Sequence, residues 1–150
     1  MIWIINFVGS YLASFFFGLS AFVSKKIRFI APLVGAVGFS LYRLVEPYSV
    51  NMAAFVSTLL CCVAAEMLAR SLKTSSTGVT IVALIPLVPG VMLYKTMLRF
   101  GEGNTLEAIE ALSNTLMYAG MMALGVTLST LLGRFVITPL YNSVKKRKDK

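Results

Sequence analysis

The sequence predicts an all-α integral membrane protein: one bundle of about five transmembrane helices, the fourth broken at Pro86, Pro89 and Gly90. Three observations carry that prediction. The 150 residues are 57% hydrophobic and 13% charged, with mean hydropathy +0.81, whereas soluble chains carry roughly 25% charged residues. Apolar runs cover about 2–23, 29–45, 50–68, 78–98 and 114–132, lengths near the ~20 residues a helix needs to cross the hydrocarbon layer. The stretches between them are too short to fold alone, so 1–150 reads as a single transmembrane domain with a basic tail over 139–150.

The run from Ile2 to Val23 has neither the Lys or Arg of a signal-peptide n-region nor an A-x-A-like cleavage site after it, so it is expected as a retained helix. Ser10, Ser14 and Gly18 recur every four residues on one face, a pattern that lets helices approach closely. The second run, 29–45, contains Pro32, Gly35, Gly38 and Ser40 and is short for a span. It is read as a helix that crosses, with a re-entrant or interfacial segment as the alternative.

The third run bears two stripes at four-residue spacing. Ala53, Ser57, Cys61 and Ala65 form a packing face, and Ala54, Thr58, Cys62 and Glu66 form a second that ends in a carboxylate. The adjacent cysteines point to different faces and read as small packing residues, not a disulfide. Glu66 is the one acid inside an apolar run, and ionisable groups within spans are commonly functional. It is therefore the candidate coupling residue. Arg70 at i+4 offers the plainer reading of an interfacial ion pair.

The fourth run, GVTIVALIPLVPGVMLYKTML over Gly78–Leu98, holds the candidate site. Proline lacks an amide proton and crowds the carbonyl four residues back, so Pro86 and Pro89 are expected to free the carbonyls of Val82 and Ile85. Non-helical backbone at membrane depth survives only where protein buries it or a polar cavity lines it, and transporters place binding sites at such breaks. Pro86, Pro89, Gly90, Tyr94 and Lys95 are accordingly the candidate substrate-binding residues. A half-helix amino end there would attract a carboxylate, while Tyr94 and Lys95 add a hydroxyl and a cation. A kink repaired by neighbouring helices is the alternative.

After Arg99 the sequence GEGNTLEAIEAL is the most acidic part of the chain. Asn104 and Glu107 have capping-box spacing, which predicts a short interfacial helix with Leu106, Ile109 and Leu112 on one face. The last run, 114–132, carries Gly125 and Ser129, with Gly133 completing the four-residue spacing. Small-residue stripes on three helices exceed what one small bundle should need, so a homo-oligomer, a larger partner, or both are expected.

The net charge of +8 does not point to nucleic acid, because the basic residues cluster beside apolar runs, as topology signals do. With five spans, Lys25, Lys26, Arg28, Arg70, Lys73, Arg134 and the five basic residues of the tail share one side. Only Arg43, Lys95 and Arg99 face the other. That asymmetry predicts a cytoplasmic carboxyl terminus and an outside amino terminus. With no His, no metal-ligand spacing and no nucleophile beside a base, the sequence offers no catalytic set, and no metal or cofactor is expected.

The string IPLVPGVMLY, Ile85–Tyr94, resembles the Pro-x-x-Pro-Gly signature of the threonine/serine exporter family, with a polar connector before it and an acidic loop after it. The resemblance implies a bacterial inner-membrane exporter of small polar metabolites, either threonine and serine or dicarboxylates such as succinate. It further implies the small component of a two-subunit transporter that acts with a larger partner. A non-transporting scaffold subunit is the alternative from another functional class.

Overall fold

The computed structural model describes residues 2–21, 26–133 and 135. Six α-helices are present among the described residues: α1 (Ile2–Ser20), α2 (Ile30–Val45), α3 (Val50–Ser71), α4 (Ser76–Leu84), α5 (Gly90–Gly101) and α6 (Thr105–Leu132). A 3-10 turn, Ile85–Leu87, lies between α4 and α5. There is no strand among the described residues. By length and composition α1, α3 and α6 can each cross a membrane, and α4 with α5 qualifies as one broken span bent by 51°. At 16 residues α2 is a shorter apolar helix. The protein is thus an all-helical membrane bundle.

Small side chains decide which helices touch. α3 is the central post, packed on α2, α4 and α6, while α1 packs mainly on α2, and α5 mainly on α6. On α3, Ala53, Ala54, Ser57, Thr58, Cys61, Cys62 and Ala65 are all buried, so both stripes expected there are in use. A Cβ at Gly35 would lie 2.7 Å from the Ala83 carbonyl oxygen, and one at Gly125 would lie 3.0 Å from that of Phe55. These distances fix how closely α2 approaches α4 and how closely α6 approaches α3. Ser14 and Gly18 on α1, and Ser129 and Gly133 at the far end of α6, are likewise buried. The stripes are therefore consumed within the chain, and the case for a partner has to rest on other features.

Both tight connections have the same hydrogen-bond pattern. After α3, the Thr74 amide donates to the Ala69 carbonyl and the Lys73 amide to that of Arg70. After α5, the Asn104 amide donates to Arg99 and that of Gly103 to Phe100. These are Schellman turns, which need a left-handed residue just past the helix. Gly103 supplies it at φ 80°, but Lys73 does so at φ 50°, where a Cβ is disfavoured.

Two expectations are corrected. Asn104 makes no side-chain cap bond, and the reciprocal half of the box is absent too, since the Asn104 amide donates to the Arg99 carbonyl and the Glu107 carboxylate pairs with the Arg99 guanidinium. Nor does a separate interfacial helix precede the last apolar run: α6 continues unbroken for 28 residues. No Gly or Pro falls between Thr105 and Ala119, so nothing halts it. Of the basic residues used to orient the chain, Lys25, Arg134 and those of the tail lie outside the described residues.

Candidate functional site

The break begins where Pro86 enters the 3-10 turn and ends where Pro89 caps α5, with Gly90 as the first residue of that helix. The Ile85 carbonyl, expected to be freed, instead accepts from the Val88 amide at 3.3 Å, the shorter-range bond that 3-10 geometry permits. Neighbouring helices serve the next acceptors. The Tyr118 hydroxyl of α6 donates to the Leu87 carbonyl at 2.9 Å, and the Cys61 thiol of α3 lies 3.5 Å from the Ala83 carbonyl. The Leu87 side chain is buried in the core with Tyr42, Ala53, Cys61 and Tyr118. Tyr118 also meets Tyr42 edge to face at 6.0 Å.

The five candidate binding residues do not gather in one cavity. An added Cβ at Gly90 would meet nothing within 4 Å, so the amino end of α5 is open. Tyr94, one turn on, is 66% exposed. Lys95 lines a cavity of about 430 Å³ between α5 and α6, together with Arg99, Glu107, Glu110 and Asn114. That cavity includes none of Pro86, Pro89, Gly90 and Tyr94.

Glu66 sits elsewhere, in a cavity of about 360 Å³ where α4 and α6 both pack on α3. Glu66 and Cys62 belong to α3; Ser76, Thr77 and Thr80 face them from α4, and Ser129 and Thr130 from α6. The expected pair with Arg70 forms, at 3.2 Å, with side chains only 22% and 14% exposed for Arg70 and Glu66. Arg70 also donates to the Gly133 carbonyl at 2.9 Å, tying the end of α3 to the end of α6. A Cβ at Gly133 would run into the Glu66 carboxylate, which would have to swing aside to admit it. The pair is thus drawn inward. A third cavity, of about 330 Å³ between α2 and α3, is walled by Leu33, Val37, Leu41 and Leu60 and carries little to orient a polar solute.

Tyr118 and the hydroxyls of α4 were not singled out from the sequence. Tyr118 is a polar-tipped aromatic inside an apolar run, and Ser76 and Thr80 are four residues apart; both are readable signals. Among the described residues no group of three or more His, Cys, Asp or Glu could hold a metal ion.

The family model described as Threonine/Serine exporter, ThrE matches residues 6–132. The chain belongs to the threonine/serine exporter family. The match takes in every helix described above except the first residues of α1, so the family's transport character applies to the bundle as a whole. Neither the curated proteins nor the solved structures return a match.

Proposed function

We propose that the chain is the small membrane subunit of a secondary exporter of small polar metabolites, acting with a larger subunit of the same family in a bacterial inner membrane. The observation that carries this reading is the 51° break between α4 and α5 in a chain of a transporter family. Interrupted helices in transporters direct half-helix amino ends at anionic groups, and the amino end of α5 at Gly90 is open to a ligand. Pro86, Pro89 and Gly90 set that end, with Tyr94 and Lys95 serving a solute carboxylate from the exposed side of α5. Glu66 is the coupling carboxylate, for a proton or for the solute itself. The solutes are threonine and serine, or dicarboxylates such as succinate. The larger subunit covers the exposed face of α5, where Val91, Tyr94 and Met97 stand out from the bundle.

A scaffold subunit is the second reading. It is favoured by the bonds from Tyr118 and Cys61, which repair the break as they would a fixed kink. Efflux of labelled threonine and labelled succinate separates the two readings, measured from cells that express this chain, the larger subunit, or both. Export only by the pair, together with Lys95→Gln lowering succinate efflux more than threonine efflux, is the expected result. Full-rate export by the larger subunit alone would overturn the exporter reading.

A further inference from the structure

The hydroxyls of this bundle are not all satisfied alike. Those of Ser10, Ser40, Thr96, Thr115 and Thr127 donate to the carbonyl four residues back in their own helix, the usual way a membrane helix satisfies such groups. Those of Thr80 and Ser129, facing each other across the groove floored by Glu66, make no hydrogen bond among the described residues. The buried hydroxyls of Ser14, Ser57 and Thr58 also have no hydrogen-bond partner among the described residues, but they lie outside the groove. Ser129 lines the groove and is fully buried, and its Oγ has no hydrogen-bond partner among the described residues. Glu66 engages Arg70 through Oε2, and its Oε1 carries no hydrogen bond among the described residues. The nine-residue α4 begins at the same groove, and Ser75 gives its first turn no side-chain cap.

We infer that this groove binds a small zwitterionic amino acid, with its ammonium on Glu66. An ammonium has three donors and no acceptor. The groove is lined by one carboxylate oxygen without a hydrogen bond, Oε1 of Glu66, and by two unpartnered hydroxyls, those of Thr80 and Ser129. Arg70 occupies Oε2 and leaves Oε1 of Glu66 as the acceptor for an ammonium, and the uncapped first turn of α4 suits the solute's carboxylate. A dicarboxylate lacks the ammonium donors that Oε1 and the two hydroxyls would accept. The groove lies toward the end of the bundle that carries Arg70 and Lys73, the side assigned to the cytoplasm, where an exporter takes up its solute. The inference rests on the exporter reading for the identity of the solute, but the groove's preference for an ammonium stands on its own side chains.

The test is thermal stabilisation of the full chain in lipid nanodiscs, alone and with the larger subunit, in sodium-free choline buffer. The probes are L-threonine, L-threoninol, 3-hydroxybutyrate and succinate. L-threonine should raise the melting temperature most and threoninol, which keeps the ammonium, less. Neither 3-hydroxybutyrate nor succinate should raise it. Glu66→Gln should abolish the threonine shift, and Ser129→Ala should weaken apparent affinity about tenfold, the loss of one hydrogen bond to a charged group. Ser129→Ala leaves the Glu66–Arg70 pair intact, so it decides the matter if Glu66→Gln fails to fold. Equal shifts from threonine and 3-hydroxybutyrate, a shift unchanged in both variants, or no shift from threonine or threoninol in either preparation would overturn the assignment. So would a Glu66-dependent shift produced by sodium chloride alone, which would make the ligand an inorganic cation. Efflux measured in parallel keeps the two proposals apart. Binding without export by the wild-type pair sinks the exporter reading alone, and undiminished threonine export by Glu66→Gln and Ser129→Ala sinks the groove alone.

Discussion

The Tyr118 hydroxyl of α6 donates to the Leu87 carbonyl inside the α4–α5 break, a contact between residues 31 apart in sequence. The bond joins the most irregular backbone in the bundle to its longest helix. It also makes the angle of the break depend on the position of α6. Tyr118→Phe keeps the ring and leaves a buried carbonyl unpaired, at a cost of about 1–3 kcal/mol. The expected outcome is a lower melting temperature in detergent with unchanged helical content. An unaltered melting temperature would show that the Leu87 carbonyl finds another donor.

Replacing both Pro86 and Pro89 with Ala restores two amide protons and removes two helix-breaking rings, each disfavoured by ~3 kcal/mol in a helix interior. The double variant is expected to insert and to melt no lower than the parent, but to lose efflux of labelled threonine at matched expression. Export at the parent's rate would reduce the break to a kink.

Gly35 and Gly90 should respond in opposite ways. Gly35→Ala drives a Cβ onto the backbone oxygen of Ala83, an overpacking expected to cost about 1–3 kcal/mol, and should lower the melting temperature. Gly90→Leu meets open space and should leave folding intact, so any efflux it loses reports a function at the amino end of α5. A folding defect in Gly90→Leu with none in Gly35→Ala would contradict the packing described.

Lys73 holds a left-handed conformation that costs an L side chain roughly 1–2 kcal/mol. Lys73→Gly should therefore raise the melting temperature, although the greater freedom of glycine in the unfolded chain offsets part of the gain. A decrease would mean that the lysine side chain contributes more than its backbone strain costs.

Cysteines placed at Asn104 and at Ser143 should react with a membrane-impermeant thiol reagent from opposite sides, Asn104 from outside and Ser143 from the cytoplasm. Labelling of both from one side would overturn the five-span topology.

The break was legible because its cause is local: Pro86, Pro89 and Gly90 act on their own backbone whatever surrounds them. The stripes on α1, α3 and α6 were legible for a related reason, since small residues at four-residue spacing share a helix face. What they pack against was not, and an excess that suggested oligomers is used up inside one chain. The capping box failed because spacing alone cannot show that the preceding turn takes the Asn104 amide and that Arg99 takes the Glu107 carboxylate. Tyr118, Thr80 and Ser129 acquire meaning only once α4 and α6 are laid against α3, which no short-range pattern specifies.

The bend has a consequence for the lipid. α4 and the 3-10 turn together rise about 20 Å, and the 12 residues of α5 rise about 18 Å. Inclined by 51° to α4, α5 advances only about 11 Å along the same axis, so the pair, taken as one span, covers about 31 Å, close to the ~30 Å hydrocarbon thickness. Straightened, it would reach about 38 Å and project apolar side chains into the headgroups. Bilayer thickness is therefore itself a load on this joint: thin membranes hold it bent and thick ones pull it straight.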